Sequence, residues 1–270
     1  MNLTSLRANG AALARMAVTR RAAAGAAVLG YHDVRADGEP GDEHYTVSAT
    51  QLRAHIDTVR RAGLQIVALA DIVERLASGR PVDGLAAITF DDALVGVHRH
   101  ALPVLRELQV PATVFVVTDA IGVSPPWWPG AVRTMTADEL REAKAAGVDL
   151  HSHSSVHASL PALAPDVLHA DLAHSRALLR DTFGASANLL AYPSGHHSPA
   201  VRTAATNAGF GAAVTFLNGR LRPGDDPMRI PRFTAHAGMT AVALARHLAR
   251  PPALWPDHQL DAVGPDGART

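Results

Sequence analysis

The five residues Ile88-Thr89-Phe90-Asp91-Asp92 constrain this chain more than any other stretch. An apolar run from Leu85 to Phe90 stops at two adjacent carboxylates, and a helix-like segment follows from Ala101. The pattern predicts a buried strand with both acids at its carboxyl end, where α/β enzymes keep their chemistry. Side chains alternate along a strand, so neighbouring acids point in different directions and can do different work. One can hold a metal while the other takes a proton. The plainer reading of the same pair is a cap on the next helix.

Around this stretch the chain alternates strands with helices. Ala26 to Leu29 reads as a first strand running into Tyr31-His32, and Arg35 to Glu43 as a loop. A helix from Ser48, with Leu52, Ile56 and Val59 at helical spacing, stops at Gly63. A strand over Gln65 to Leu69 and a helix over Asp71 to Leu76 precede the acidic stretch. After it come a helix (Ala101 to Leu108), a strand (Thr113 to Val117), a helix (Thr136 to Ala146) and a short strand (Val148 to Leu150). Further helices cover Ala164 to Phe183 and Pro199 to Ala208, and strands cover Asn188 to Tyr192 and Ala212 to Phe216. Repeated units of this kind predict one α/β domain with a parallel sheet or barrel. It is expected over 26–250, between an N-terminal extension (1–25) and a loose tail rich in Pro, Gly and Asp (251–270).

The second informative stretch runs from His151 to Leu160, directly after the strand at Val148 to Leu150. His153 and His157 are one helical turn apart, so a turn beginning at the strand end would put both imidazoles on one face. With one Asp oxygen they make three protein ligands and leave a coordination position open, as a catalytic metal site requires. A surface helix tolerates the same spacing. Both stretches follow strands, however, and so converge on one end of a sheet. The chain has no cysteine, which leaves His, Asp and Glu as its metal ligands, and 15 histidines add weight to metal or proton-transfer chemistry.

Lys+Arg and Asp+Glu both total 25, for a net charge of +0, so no nucleic-acid partner is expected. Arg7, Arg15, Arg20 and Arg21 interrupt every apolar run before Ala22, so no clean signal peptide is read. No run reaches the length of a transmembrane helix. A cytoplasmic protein is the expectation, with export as the alternative, since Thr19-Arg20-Arg21 before Ala22 to Leu29 faintly resembles a twin-arginine signal.

Thr89-Phe90-Asp91-Asp92, His153-x-x-x-His157-x-x-Leu160 and Tyr192-Pro193-Ser194-Gly195 together resemble the polysaccharide deacetylase family, carbohydrate esterase family 4 with its NodB-homology domain. Ala101 to Leu105 and Pro111 to Val116 share the likeness, which covers roughly Ala27 to Phe233. The resemblance implies a distorted (β/α)7-type barrel in a single domain. It also implies one divalent ion, Zn²⁺ first and Co²⁺ or Ni²⁺ as alternatives, held by Asp92, His153 and His157. Asp91 would be the general base acting on a metal-bound water, and the backbone amide of Ser194 would receive the oxyanion. Val28-Leu29-Gly30-Tyr31-His32-Asp33-Val34 is similar to the opening strand of the circularly permuted poly-N-acetylglucosamine deacetylase branch, which makes His32 the general acid, with Asp33 as an orienting neighbour and His236 or His247 as fallback acids.

The implied reaction removes an N-acetyl group from an N-acetylated amino sugar, either in a glycan or in a small biosynthetic intermediate. Tyr192, Pro193, Trp127 and Trp128 are the expected substrate contacts, the two indoles also fitting a loop packed on the barrel. Three departures from the family pattern stand out. Ala93 and His151 occupy positions where Gly is usual, with crowding of the metal site or a polar addition to its rim as the expected results. The third motif lacks its Arg, for which Arg232 is either a replacement from another strand or a plain surface residue. His196 and His197 fit a cleft wall or a solvated loop, and His98 and His100 a solvent-facing helix. The competing class is a carbohydrate-binding barrel whose catalytic centre has decayed.

Overall fold

Short strands carry the chain repeatedly through one curled, wholly parallel sheet, seen in a computed structural model that describes residues 25–249. In chain order these are β1 (Ala27–Tyr31), β2 (Asp33–Arg35), β3 (Thr46–Ser48), β4 (Gln65–Ile66), β5 (Leu85–Phe90), β6 (Ala112–Val116), β7 (Val148–Ser152), β8 (Leu189–Ala191), β9 (Ala212–Val214) and β10 (Phe233–Thr234). The order across the sheet is β10-β1-β5-β6-β7-β8-β9, with β4 also paired to β5 and with β2 and β3 forming a separate ribbon. One segment closes the curl. Ile230 bridges in parallel to Val214 of β9, and three residues later Phe233 pairs with Leu29 of β1. The distorted single-domain barrel expected above is therefore the fold. The extension before Gly25 and the tail over 251–270 lie outside the described residues.

Helices lie between the strands: α1 (Ala49–Arg61), α2 (Leu69–Ala77), α3 (Leu102–Leu108), α4 (Ala137–Ala145), α5 (Pro165–Phe183), α6 (Pro199–Asn207) and α7 (Ala241–Ala249). Their starts follow local chemistry. Ser48 accepts from the Gln51 N–H, and Gln51 returns the bond to the Ser48 N–H; Thr136 and Glu139 repeat this capping box on α4. Gly184, left-handed at φ 59, ends α5.

The period of two along the strands divides the apolar residues into an interior and a shell. Val28, Ala87, Phe115, Leu189, Ala191, Val214 and Ile230 share one cluster although they come from strands all round the curl, which identifies it as the barrel interior. Leu69 and Ile72 of α2 plug it. Ala86, Ile88 and Phe90 face outward onto α1, α3 and α4. Strands so enclosed read as unbroken apolar runs, which is why β5 and β6 are plain in the sequence.

Some boundaries differ from expectation. β4 spans only Gln65–Ile66 and α2 starts at Leu69, because Val67 leaves the ladder after one last bond to Ala86 O. β7 runs on to Ser152, its pairing with β6 continuing through His151 and Ser152. His98 and His100 lie in a π-helical turn (Val97–Ala101), half-buried, with His98 Nε2 2.9 Å from Glu142 Oε2.

Candidate metal centre and active-site cleft

The alternation that sends Ala87 and Thr89 inward continues past β5 and delivers Asp91 to the rim of the interior, fully buried. There it meets Arg232, which is also buried and is no surface residue. Two parallel hydrogen bonds of 2.7 Å run from the guanidinium to Oδ1 and Oδ2 of Asp91. Arg232 Nε donates to Thr215 O at 3.0 Å, and the charge lies 5.2 Å above the Phe216 ring. Gly30 makes the room, since a Cβ there would stand 3.3 Å from the guanidinium. Burial by itself pushes the Asp91 carboxyl up. The Arg232 charge and hydrogen bonds, with His153 and His32 nearby, override it and hold the group well below the usual carboxylate range.

Asp92 leaves the strand in the left-handed region (φ 64), and Ala93 follows at φ 52. A residue with a Cβ pays about 1–2 kcal/mol for that conformation, which explains the glycine usual there. Ala93 nonetheless does not crowd the site. Its side chain is buried in the outer core, and its carbonyl accepts from Met135 N at 2.7 Å.

His153 and His157 converge on Asp92, but not through a helical turn. The loop between them is irregular, with Ser154 at φ 65 and His157 at φ 58. Short polar side chains hold it. Ser154 N donates to Ser152 Oγ (3.1 Å), His157 N donates to Ser154 Oγ (3.0 Å), and the Ser155 amide and hydroxyl both donate to the buried Asp171 of α5. His153 Nδ1 lies 2.8 Å from Ala191 O. A carbonyl can only accept, so Nδ1 carries a proton, and Nε2 is the ring nitrogen turned toward Asp92.

Asp92 Oδ1 is 3.7 Å from His153 Nε2 and 3.5 Å from His157 Nε2, and one donor atom from each of the three residues lies within 4.8 Å of the others. Burial pushes Asp92 up to about 6. Burial and the neighbouring His153 push His157 down to about 3. A buried carboxylate grouped with two histidine Nε2 atoms is a donor set that one divalent cation would satisfy. The donor set thus fits a metal with N and O ligands and a coordination position toward the cleft.

His32, at the end of β1, places Nε2 4.0 Å from Asp91 Oδ2. Its ring stacks on Phe216 (5.6 Å, 21°) and meets the edges of Tyr45 and Trp128. Burial lowers it to about 4 despite the attraction of Asp91. Asp33 does not orient it. Successive side chains point to opposite faces, and Asp33 accepts from Arg35 Nε at 2.6 Å instead.

A cleft of about 490 Å³ opens over these groups. His32, Asp92, His153, His157 and Ser194 form its floor, and Tyr45, Trp127, Trp128 and Phe216 are its aromatic walls, with Asp42 and Thr234 at its margin. Ser194 is left-handed (φ 55, ψ 13), and Gly195 must be glycine because a Cβ would come within 2.8 Å of Phe216. Tyr192 and Pro193 are placed differently from expectation. Both are buried and absent from the cleft lining, and Tyr192 donates to Met228 O at 3.0 Å while stacking on His197. His197 is therefore packed within the fold, and His196 lies 3.2 Å from Ser159 Oγ. His151 is not on the rim either. It is buried one pleat below His153, beside Phe115. His236 is exposed and His247 packs against Phe233; neither lines the cleft. Tyr45, Phe216, Thr215 and Asp171 had no signal in the sequence, because distant segments give them their roles.

The chain has relatives in sequence, in fold and in a family model. Poly-beta-1,6-N-acetyl-D-glucosamine N-deacetylase of Staphylococcus epidermidis is 23% identical over 226 residues, covering 77% of this chain and 78% of the relative. The Bacillus subtilis protein YxkH is 22% identical over 222 residues, 82% of this chain and 75% of its own length. Among solved structures, IcaB from Ammonifex degensii superposes with a TM-score of 0.74 at 24% identity, covering 84% of this chain and 98% of IcaB. The Streptococcus pyogenes deacetylase PplD, in complex with acetate, gives 0.72 at 19% identity, covering 83% and 98%. The polysaccharide deacetylase family model matches residues 78–213, about half of the chain, including both acids and both histidines and so the chain belongs to the polysaccharide deacetylase family.

Proposed function

We propose that this protein is a metal-dependent hydrolase that removes the N-acetyl group from an N-acetylated amino sugar of the N-acetylglucosamine type. The observation that carries the reading is the convergence of Asp92, His153 and His157 on one point of a cleft, beside a carboxylate pinned by Arg232. The relative named as a poly-N-acetylglucosamine deacetylase supports the substrate class. Asp92, His153 and His157 would hold a divalent ion, zinc by preference, which would supply Lewis-acid activation of water, lowering its pKa toward ~7, and polarisation of the acetamide carbonyl.

The protein's own groups do the rest. Asp91, ionised and held by Arg232, takes the proton of the attacking water. The Ser194 amide receives the negative charge that develops on the carbonyl oxygen. C–N cleavage needs a proton on the leaving nitrogen. Burial keeps His32 neutral in the resting site, so the proton it delivers is the one Asp91 took, passed across the 4.0 Å between them as the substrate draws the groups together. The second proton of the water ends on the amine, so acetate and the ammonium form of the amino sugar leave, and Asp91 returns to its ionised state. Trp128 and Tyr45, an edge-to-face pair with ring centroids 5.3 Å apart and planes 70° from parallel, form an aromatic corner against which a sugar packs.

The two departures that pointed to a decayed barrel lose their force in this geometry, since Arg232 supplies the missing guanidinium and Ala93 keeps the left-handed turn. The test is acetate release from N-acetylglucosamine oligomers and from the monosaccharide by the zinc-reconstituted chain. Asp91→Asn is expected to abolish release and keep the metal. A wild-type chain that binds well below one equivalent of metal, or full turnover in Asp91→Asn, overturns the proposal.

A further inference from the structure

We propose that Trp127 is a positioning residue of the Asp92–His153–His157 centre, an inference that rests on reading that centre as a metal site. Trp127 Nε1 donates to Asp92 Oδ1 at 3.2 Å. This is the same oxygen that lies 3.7 and 3.5 Å from the two histidine Nε2 atoms. The indole also stacks on the His157 imidazole, with centroids 4.6 Å apart and planes 14° from parallel. A single side chain thus touches two of the three ligands.

The two contacts have different effects. An indole N–H is a donor only, and a rigid one. Bonded to Oδ1, it sets the rotation of the carboxylate about its last bond and presents a defined lone pair of that oxygen to the centre. His153 is oriented by Ala191 O. His157 is held at its backbone by Ser154 Oγ, and its ring is oriented by the indole plane. Partners of this kind fix ligand geometry, and losing one typically weakens metal affinity about 10- to 100-fold.

The loop that carries Trp127 is built to hold it. Its ends are joined by Gly122 N to Met135 O and Thr134 N to Val123 O, both at 2.9 Å. Its far arm then pairs with the residues after Asp92, through Met135 N to Ala93 O (2.7 Å) and Val95 N to Arg133 O (2.9 Å). Asp92 and Trp127 therefore belong to one hydrogen-bonded frame. One indole face is taken by His157, so this Trp is poorly placed to be the flat sugar platform that its place between two prolines suggests. Trp128 makes its ring contacts with His32 and Tyr45 instead, both T-shaped.

The test uses the full chain, stripped of metal and titrated with Zn²⁺ against a chromophoric chelator and with Co²⁺ by its visible absorption. Trp127→Phe keeps an aromatic ring for stacking and removes the N–H. It is expected to weaken the Zn²⁺ constant about 10- to 100-fold and to shift the Co²⁺ bands, with the metal-free melting temperature unchanged. Trp128→Phe, on the same loop, is expected to leave the constant and the spectrum as in wild type. Equal affinity and spectra for wild type and Trp127→Phe overturn the Trp127 role while the metal centre stands. A wild-type chain that takes up neither cation overturns the metal centre and the Trp127 role with it. A weakened constant shared by both variants overturns the assignment to Trp127 in favour of a general effect of the loop.

Discussion

Replacing Arg232 with methionine tests how the centre is held together. The substitution keeps an unbranched stem and removes the charge, leaving the Asp91 carboxylate with no exposed surface and no guanidinium. Two bonds to Asp91 at 2.7 Å and one to Thr215 O at 3.0 Å disappear together. Breaking a buried pair from one side costs about 3–5 kcal/mol, because the remaining charge is uncompensated. For a domain of this size each kcal/mol moves the melting temperature by about 2–4 °C, so a fall of roughly 6–20 °C is expected. Thermal and urea melts at neutral pH read it. The pH dependence carries a sign. In wild type the pair holds the folded-state pKa of Asp91 below its unfolded value, so its contribution is present above the ordinary carboxylate range. In Arg232→Met only His153 and His32 still oppose burial, the largest effect on this carboxyl, and the folded-state pKa is expected to rise above the unfolded value. Stability is then lost as pH rises through the raised pKa, and the gap to wild type narrows as pH falls toward ~4. Asp91→Asn/Arg232→Met removes both charges and is expected to be more stable than Arg232→Met alone, a coupling the double-mutant cycle measures. A loss below about 1 kcal/mol, as for an exposed pair, or a double variant less stable than the single one, refutes the reasoning.

Two further variants probe the loops around the ligands. Asp171→Ala strips the Ser155 amide and hydroxyl of their buried acceptor; a loss of about 1–3 kcal/mol in urea melts is expected, together with weaker Zn²⁺ binding, and an unchanged midpoint refutes it. Glu139 is held by two bonds from Arg133, at 2.7 and 2.8 Å, which with the Thr136 N–H lower its pKa to about 2 against the opposing effect of burial. A depressed folded pKa gives stability that is present above the unfolded value and lost as pH falls through the folded one. Wild type is thus expected to exceed Glu139→Gln in stability at pH 5–7, with the difference vanishing on acidification toward pH ~2, and a pH-independent difference contradicts this.

How much of this was legible in the sequence depended on whether a residue's role is set by its own strand or by a distant one. β5 and β6 announce themselves as apolar runs because both of their faces are covered. The period of two then places Asp91 inward and leaves Asp92 to turn away, which no other segment has to decide. The same logic finds His153 at the end of β7. It fails for the turn to His157, because spacing alone reads as a helical turn where the chain uses two left-handed non-glycine residues. Those conformations cost free energy locally and persist here because Asp171, 16 positions from Ser155, and Ser152 supply the opposing bonds. Arg232 is harder still. Its partner is 141 residues away, and only the crossing of Ile230 from β9 to β1 brings the two together. Tyr192 misleads in the opposite way. An aromatic beside a loop motif suggests a sugar contact, yet the same alternation that serves Asp91 turns Tyr192 to the outer face, where Met228 O satisfies its hydroxyl. Of the left-handed non-glycine positions, Asp92, His157 and Ser194 line the cleft itself, and Ala93 and Ser154 are chain neighbours of cleft residues. Propensity opposes each of them, so what holds them is the hydrogen-bonded surround. Substitutions in that surround should therefore disturb ligand geometry as much as substitutions of the ligands' own neighbours in sequence.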